Sequence, residues 1–356
     1  MRFDRWRDFA VRSTSVPPMS KSMQRNATAW IRSISILATI CTTLVADPAQ
    51  SVTWPLVEGE GVVGELISDR LRQEDTLIDM ARMHNIGHFE MVHANPGIDP
   101  WLPNPGAEVT IPQLHVLPDG PRTGIVVNLA ERRLYFFAPD WPDRDGAVVS
   151  THPVGIGLDR RATPLTSARV TAKVDNPAWY PTPEVREWYR REKNEILPAV
   201  VPAGPENPLG RHALILDADG LLIHGTHRPA GVGMRVSQGC IRLYPESIAG
   251  LIGQVPIGAE VRVVDQPVRL GVRGTALYLE VDPPGDDPAL EHGKSAWTQL
   301  QQELARYTPA AGWTLDPTEV RAAFERADGI PVVIGRGDQP LPDSDAAIRS
   351  VRGNTR

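Results

Sequence analysis

Short apolar runs separated by proline and glycine fill the middle of the 356-residue chain, and this pattern predicts β-strands. A hairpin is expected where runs at 125–129 and 133–137 flank Glu131-Arg132, and a tight turn is expected at 217–220. Further strands are expected at 147–154, 168–174, 213–216, 221–224 and 260–264, and helices at 184–194 and 245–251. Residues 122–267 are therefore predicted to form a mainly β domain large enough to hold an active site.

Residues 65–115 carry the pattern of a small α+β module. A helix is predicted by the spacing of Leu77, Met80 and Ala81, and Asp75 is expected to cap its N-terminus. The remaining predicted elements are a helix at 89–94 and a closing strand at 108–112. The expected order is therefore strand, helix, helix, strand, although the first strand has only a weak signal.

Residues 268–356 are predicted to form a small α/β extension at the C-terminus. Its expected elements are a strand at 276–281 and an amphipathic helix at 297–307. The segment after Gly335 is polar and is predicted to be disordered, because it has too few apolar residues to form a core.

The first 46 residues are predicted to be a secretory signal region. Residues 33–46 are apolar or small and uncharged, basic residues precede them, and cleavage is expected after Ala46. An uncleaved anchor and a buried apolar segment are the alternatives. The long segment before the apolar run makes Met19 and Met23 alternative start sites.

Charge and cysteine content narrow the range of functions. The net charge is −6 and the pI is about 5.9, which argues against a nucleic-acid partner. The chain has two cysteines, Cys41 and Cys240, and Cys41 lies in the predicted leader. Without the leader, Cys240 has no partner for an internal disulfide, so a reactive thiol has to be considered.

The candidate chemistry lies in two short segments, His224-Gly225-Thr226 and Ser237-Gln238-Gly239-Cys240-Ile241-Arg242. An imidazole near a cysteine accepts its proton and favours the nucleophilic thiolate. Cys240 precedes a predicted helix, so its pKa is expected to be lowered, and the N–H groups of Gly239 and Cys240 are expected to face an oxyanion. From the residues alone, a structural His224 and an inert buried Cys240 remain open alternatives. His212 and His227 lack the spacing of zinc ligands, so no metal is predicted.

The two segments resemble the signature of the YkuD-type L,D-transpeptidase catalytic domain, which reads H-G-T and then S-H-G-C-I/V-R. Upstream pieces agree with the same family, namely Pro153-Val154-Gly155-Ile156-Gly157, Thr163-Pro164 and Asn207-Pro208-Leu209-Gly210. The second histidine of the signature is Gln238 here. Because the base of the family is the distant histidine, activity is expected to survive, with Gln238 orienting the loop by hydrogen bonds. The resemblance covers 122–267 and is strongest to the Gram-negative periplasmic branch.

This resemblance implies a YkuD-like β-sandwich and a periplasmic enzyme of peptidoglycan that needs no cofactor. Cys240 would attack the carbonyl of meso-diaminopimelate at position three of a tetrapeptide stem and expel D-Ala, with His224 as the base. Substrate contacts are expected from Gly225, Thr226 and Arg242, and loop or oxyanion roles from Ser237, Gln238 and Gly239. A structural salt bridge is the alternative role for Arg242.

The sequence leaves the acyl acceptor open. An amine of a second stem peptide would give a 3–3 crosslink, whereas an amine of an outer-membrane protein would tether that protein to the wall. Water as the acceptor would make the chain an L,D-carboxypeptidase. A non-catalytic peptidoglycan-binding scaffold is the alternative outside the enzymes.

The module at 65–115 resembles the LysM peptidoglycan-binding module. The recurrent signs are present as Asp75-Thr76-Leu77, Ala94-Asn95-Pro96 and Ile111-Pro112. Glu74 replaces the glycine that usually precedes the first of them. The resemblance implies glycan binding, and a spacer that binds no sugar is the alternative.

Overall fold

The computed structural model describes residues 52–138, 146–284 and 292–338. The predicted leader at 1–46 and the polar segment beyond residue 338 lie outside these residues. Within the described ranges, no helix is both long enough and apolar enough to cross a membrane.

The N-terminal part contains a small α+β unit. In chain order its elements are β1 (Val52–Pro55), β2 (Val62–Val63), β3 (Leu66–Arg70), α1 (Leu77–Met83), α2 (His88–Ala94), β4 (Glu108–Pro112) and β5 (His115–Val116). β3 pairs antiparallel with β4, so the predicted order strand, helix, helix, strand is confirmed. Helical and strand spacing bring Leu77, Met80, Met91 and Ile111 into one apolar core.

The N-cap of α1 is Thr76, not the predicted Asp75. Thr76 Oγ1 accepts from the Asp79 amide at 3.0 Å, and the Asp79 carboxylate accepts from the Thr76 amide at 3.2 Å. This reciprocal arrangement is a capping box, which satisfies two amides that would otherwise lack partners. The Asp75 carboxylate instead accepts from the Arg72 amide at 2.9 Å, within the loop before the helix.

The central part is built on a large sheet. Its elements are β6 (Gly124–Asn128), β7 (Arg133–Ala138), β8 (Val148–Pro153), β9 (Ile156–Gly157), β10 (Thr166–Asp175), α3 (Pro183–Glu192), β11 (His212–Leu216), β12 (Leu222–His224), β13 (Arg235–Ser237), β14 (Ile241–Arg242), α4 (Pro245–Gln254) and β15 (Glu260–Val264). Nine strands form one sheet in the order β1-β8-β7-β6-β15-β10-β11-β12-β14. The short strands β9 and β13 pair with each other.

Strand β10 belongs to both halves of this sheet. Its first four residues pair with β15, and its remaining length pairs with β11, with a register shift between Val170 and Ala172. Such an irregularity bends a strand, and the sheet curls around an apolar core to which α4 contributes Ile248 and Leu251. The mainly β fold predicted from the sequence pattern is therefore confirmed.

The C-terminal part has a second sheet. Its elements are β16 (Val268–Arg273), β17 (Ala276–Val281), α5 (His292–Leu304), β18 (Trp313–Leu315), α6 (Pro317–Arg326) and β19 (Val332–Gly337). The strands pair antiparallel in the order β16-β17-β19-β18, and Leu300 and Val320 of the helices pack into the same core. Strand β19 includes Arg336 and Gly337, so the disorder predicted to follow Gly335 is wrong for these two residues.

A buried ionic network joins the three parts of the chain. Its members are Glu90 and His115 of the N-terminal part, Glu131, Arg133 and Tyr135 of the central part, and Arg269, Glu280 and Asp282 of the C-terminal part. Arg269 is 1% exposed and lies 2.5 Å from both Glu280 and Asp282. Glu90 pairs with Arg133 at 2.7 Å. The described residues accordingly form one compact unit.

Candidate active site

Strands β12 and β14 bring the two signature segments side by side. β12 ends at His224, and the parallel pairing aligns Ile223 with Ile241 and His224 with Arg242. Both isoleucines are completely buried, and their place in the core fixes the register of the two strands. Cys240 therefore enters the site directly before β14, the strand next to that of the histidine.

His224 is a buried and neutral imidazole. Its Nδ1 lies 2.6 Å from the Gly225 carbonyl oxygen. Because a carbonyl can only accept, this contact assigns the proton to Nδ1 and leaves Nε2 as the acceptor of the neutral ring. Burial and then the charge of Arg242 lower the pKa of His224 to about 3, although the carbonyls of Gly225 and Leu209 act in the opposite direction.

Cys240 rests as a neutral thiol. Its Sγ donates to the Gly220 carbonyl oxygen at 3.3 Å. Burial raises the pKa of the Cys240 thiol, and the Leu222 amide and Arg242 only partly oppose this effect. The lowered pKa predicted from the sequence is therefore wrong, because loss of hydration outweighs the nearby donors. In the described part of the chain no hydrogen bond joins Sγ to His224, so the thiol has to turn away from Gly220 to reach the imidazole.

Ser237 shapes the loop that carries the thiol. Its Oγ donates to the Cys240 carbonyl at 2.5 Å and accepts from the Gly239 amide at 3.1 Å. Gly239 has a φ of +110°, in the left-handed region that favours glycine. Since its N–H is already bonded to Ser237, the predicted contact of this N–H with an oxyanion is not available in this structure.

Three other signature residues, Gln238, Gly225 and Thr226, lie in the same region. Gln238 Oε1 is buried and has no hydrogen-bond partner among the described residues, so in this structure the atom does not orient the loop as predicted. Gly225 is buried, and its amide donates to the His212 carbonyl at 3.1 Å. Thr226 is 3% exposed, and its Oγ1 accepts from the Arg228 amide at 3.0 Å. Gly225 and Thr226 therefore hold the backbone that follows β12.

Arg242 is a half-buried cation beside the thiol. Its Nε is buried without a hydrogen-bond partner, and no carboxylate of the described residues pairs with its guanidinium. Burial lowers the pKa of Arg242 more than Tyr189 and Cys240 raise it, and the positive charge of Arg228 lowers it further. The alternative of a structural salt bridge is thus not found here.

One group of potential metal ligands comes together in the described ranges, and it lies in the ionic network. The group consists of Glu90, His115 and Glu131. Arg133 lies 2.7 Å from Glu90, and Arg269 lies 3.5 Å from Glu131. The guanidinium groups already compensate these carboxylates, so the cluster is explained by ion pairing.

The sequence does not predict two backbone groups that contact the Cys240 thiol. They are the Gly220 carbonyl and the Leu222 amide, both of which contact Cys240. The sequence predicts the turn at 217–220 but not its approach to Cys240. That approach depends on the parallel pairing of β12 with β14, for which a single sequence carries no local signal.

Comparison with known proteins identifies the family. Residues 122–263 match the YkuD family model, which describes the L,D-transpeptidase catalytic domain. The chain is 37% identical over 318 residues to the probable L,D-transpeptidase ErfK/SrfK of Escherichia coli, covering 87% of this chain and 100% of that protein. It is 38% identical to YcfS (73% of this chain, 82% of that protein) and 40% identical to YbiS (66% and 76%), both probable L,D-transpeptidases of the same organism. The chain therefore belongs to the L,D-transpeptidase family and carries the YkuD-type catalytic domain.

Proposed function

We propose that the chain is an exported L,D-transpeptidase that acts on peptidoglycan tetrapeptide stems through a thioester at Cys240. Family membership and the names of the relatives support this function. The observation that carries it is the neutral His224, whose Nε2 is an unprotonated acceptor at the end of β12, next to the strand that Cys240 directly precedes. A thiol and an imidazole base brought together by adjacent strands are the groups that acyl transfer requires.

In the first half-reaction, Cys240 Sγ attacks the carbonyl carbon of meso-diaminopimelate at position three of the stem. The thiol proton passes to His224 Nε2, the bond to D-Ala breaks, and His224 gives the proton to the amine of the departing D-Ala. The product is a thioester between Cys240 and the stem. Because thiol and imidazole both start neutral, the proton moves during the attack and not before it.

In the second half-reaction, His224 Nε2 takes a proton from the acceptor amine while that amine attacks the thioester carbon. The carbon–sulfur bond breaks, and Cys240 recovers its proton. A stem-peptide amine gives a 3–3 crosslink, and an amine of an outer-membrane protein gives a tether to the wall. Water in place of the amine gives the L,D-carboxypeptidase reaction.

Arg242 is the proposed contact for a carboxylate of the stem peptide. Tetrapeptide stems carry several carboxylates, and an arginine that pairs with no carboxylate of the described residues gains charge-assisted hydrogen bonds when such a group binds. The N-terminal part at 65–115 is proposed to bind wall glycan, as its LysM-like residues imply. The predicted leader would place the enzyme in the periplasm, where these substrates lie.

Mass spectrometry of the intact protein tests the proposal. Wild type and Cys240→Ala are incubated with a carbapenem and then with disaccharide-tetrapeptide. We expect a covalent carbapenem adduct on the wild type only, followed by a crosslinked dimer that has lost one D-Ala. Release of D-Ala without a dimer would indicate water or a protein as the acceptor. Folded wild type that forms neither adduct nor product would favour the non-catalytic scaffold.

A further inference from the structure

We propose that the turn between α1 and α2 positions the loop that carries Cys240, and that Asn85 is the central positioning residue. This inference rests on the proposed function, because it concerns the reactivity of that thiol. The nucleophile loop is defined as residues 231–247, which run from the segment before β13 to the first turn of α4. The α1–α2 turn contacts this loop at both of its ends.

At its N-terminal end, the backbone of the nucleophile loop contacts the backbone of the α1–α2 turn. The His88 amide donates to the Val232 carbonyl at 3.0 Å. Gly233 has a φ of +85°, and a Cβ at this position would lie 2.3 Å from His88 N and 2.6 Å from Gly87 Cα. No side chain fits at such distances, so the two backbones are in direct contact.

Arg132 adds a second connection at the same end. Its NH1 donates to the Gly233 carbonyl at 3.1 Å. Its guanidinium carbon lies 3.6 Å from the centre of the Phe89 ring, a cation–π contact with α2. One side chain therefore contacts both the nucleophile loop and the helix that follows the turn.

At its second end, the nucleophile loop is bonded to the same turn by two buried side chains. Tyr244 Oη donates to the Ile86 carbonyl at 3.0 Å. Ser247 Oγ donates to Asn85 Oδ1 at 3.1 Å. Tyr244 is 2% exposed and Ser247 is 0% exposed, so water cannot replace either bond.

Asn85 fixes the turn to the main sheet. Its φ of 55° lies in the left-handed region, which asparagine tolerates better than most residues, and it is 1% exposed. Its Nδ2 donates to the Thr151 carbonyl of β8 at 2.7 Å. One amide group therefore links β8 to Ser247 at the start of α4, a few residues after Cys240.

These contacts bear on catalysis because the thiol has to change partners. Cys240 Sγ is bonded to Gly220 and has to reach His224 Nε2 for the attack. A misplacement of about 1 Å in a reacting group can lower a rate on the order of a hundredfold. A nucleophile loop that is held at both ends keeps the backbone of Cys240 in place while its side chain turns.

The test uses the full chain with Asn85→Gly and Tyr244→Phe. The glycine keeps the left-handed backbone and removes both amide bonds, while the phenylalanine removes only the hydroxyl. We expect the maximal rate of carbapenem acylation at Cys240 to fall about tenfold to a hundredfold, with the half-saturating carbapenem concentration unchanged. Backbone hydrogen exchange in residues 234–243 is expected to become faster.

Asp316→Ala is the control, in the C-terminal part of the chain. Asp316 caps α6, and its carboxylate accepts from the Thr318 and Glu319 amides at 2.9 Å and 3.2 Å, so this variant also loses two hydrogen bonds. This variant is expected to melt at a lower temperature yet acylate at the wild-type rate when measured below its melting range.

The proposal is overturned if Asn85→Gly and Tyr244→Phe acylate at the wild-type rate, or if Asp316→Ala slows acylation equally. If the wild type itself is not acylated, the proposed function fails by itself. Hydrogen exchange in residues 234–243 then decides the positioning role: faster exchange in Asn85→Gly but not in Asp316→Ala supports it, and equal exchange in both refutes it.

Discussion

His224 and Cys240 are both neutral at rest. Burial favours the uncharged form of each group, because it lowers the pKa of the imidazole and raises the pKa of the thiol. In the proposed reaction, a neutral imidazole accepts the proton at any physiological pH, and a neutral thiol loses it during the attack. The pair would then act by general-base catalysis and not as a preformed ion pair. This difference has a measurable consequence.

We expect the rate of carbapenem acylation to vary no more than about twofold between pH 5 and pH 8, the range in which an ordinary histidine titrates. The reason is that the pKa of His224, lowered to about 3, leaves the ring unprotonated over this whole range. Acylation rates followed by mass spectrometry across this range would measure the profile. A fall in rate of about tenfold per unit below pH 6.5 would instead indicate an ordinary histidine base.

For individual residues, the sequence predicts the pairing of His224 with Cys240 but not the protonation state of either side chain. The spacing of His224 and Cys240 and their resemblance to a known signature are enough to select the pair. The direction of the Cys240 pKa shift depends on how deeply the thiol is buried, and residues far along the chain determine that burial. Gln238 shows the same limit, because its residue type does not reveal that Oε1 lacks a partner.

Among the elements, β12 is short, and its end is held by a neighbouring loop. Gly210 has a φ of +68°, and a Cβ there would lie 2.8 Å from Thr226 N and 3.1 Å from the Gly225 carbonyl carbon. The backbone that follows His224 therefore lies directly on Gly210. Any side chain at this position would have to displace the end of the strand.

We expect Gly210→Ala to lower acylation by at least about tenfold, because a displaced β12 moves the imidazole away from the thiol. Gly258→Ala is the control, since Gly258 also has a left-handed φ, +88°, but a Cβ there has no neighbour within 4 Å. In Gly258→Ala the free energy of unfolding should fall by about 1 kcal/mol, from backbone strain alone, and the acylation rate should stay that of the wild type. Thermal melting and acylation measured on both variants make the comparison. Equal acylation rates in the two would contradict this account of β12.

Element length decides what a hydrophobic pattern can predict. Strands β6, β7 and β15 and helix α4 are long enough for their spacing to be visible, and all lie where they are expected. Strands β9, β13 and β14 have two or three residues, too few to show alternation. These short strands nevertheless position the signature segments. The hydrophobic pattern does not predict them, so the site could be identified only through its resemblance to the family signature.

Across the whole molecule, the ionic network holds more carboxylates than guanidinium groups. Burial opposes ionisation of Glu131, but Arg269 and His115 lower its pKa to about 2. For Asp282, burial is the larger effect and the charge of Glu131 adds to it, so its pKa is raised to about 7 in spite of Arg269. Glu131, Glu280 and Asp282 thus compete for the Arg269 guanidinium, and burial raises the pKa of Glu280 as well as that of Asp282.

The raised pKa makes stability depend on pH with a definite sign. The folded state keeps the proton of Asp282 up to about pH 7, whereas the unfolded chain releases it near 3.8. The stability from this group is therefore present at low pH and is lost as the pH rises through about 7. In Asp282→Asn we expect the free energy of unfolding, relative to wild type, to increase by about 3 kcal/mol from pH 5 to pH 8.

Urea unfolding at the two pH values measures this difference. The exposed Asp219→Asn is the control, because Asp219 lies in a surface turn outside the network. An Asp282→Asn variant whose stability varies with pH as the wild type does would show that Asp282 is not the titrating group. The sequence could not predict this behaviour, because the network unites residues from all three parts of the chain.

The network also has an evolutionary consequence. Glu90 and His115 come from one part, Glu131 and Arg133 from the second, and Arg269 from the third. A part exchanged for one from another lineage would leave uncompensated charges in the interior, which is strongly unfavourable. The three parts are therefore expected to be inherited together, and recombination between related genes should succeed only where the network residues are kept as a set.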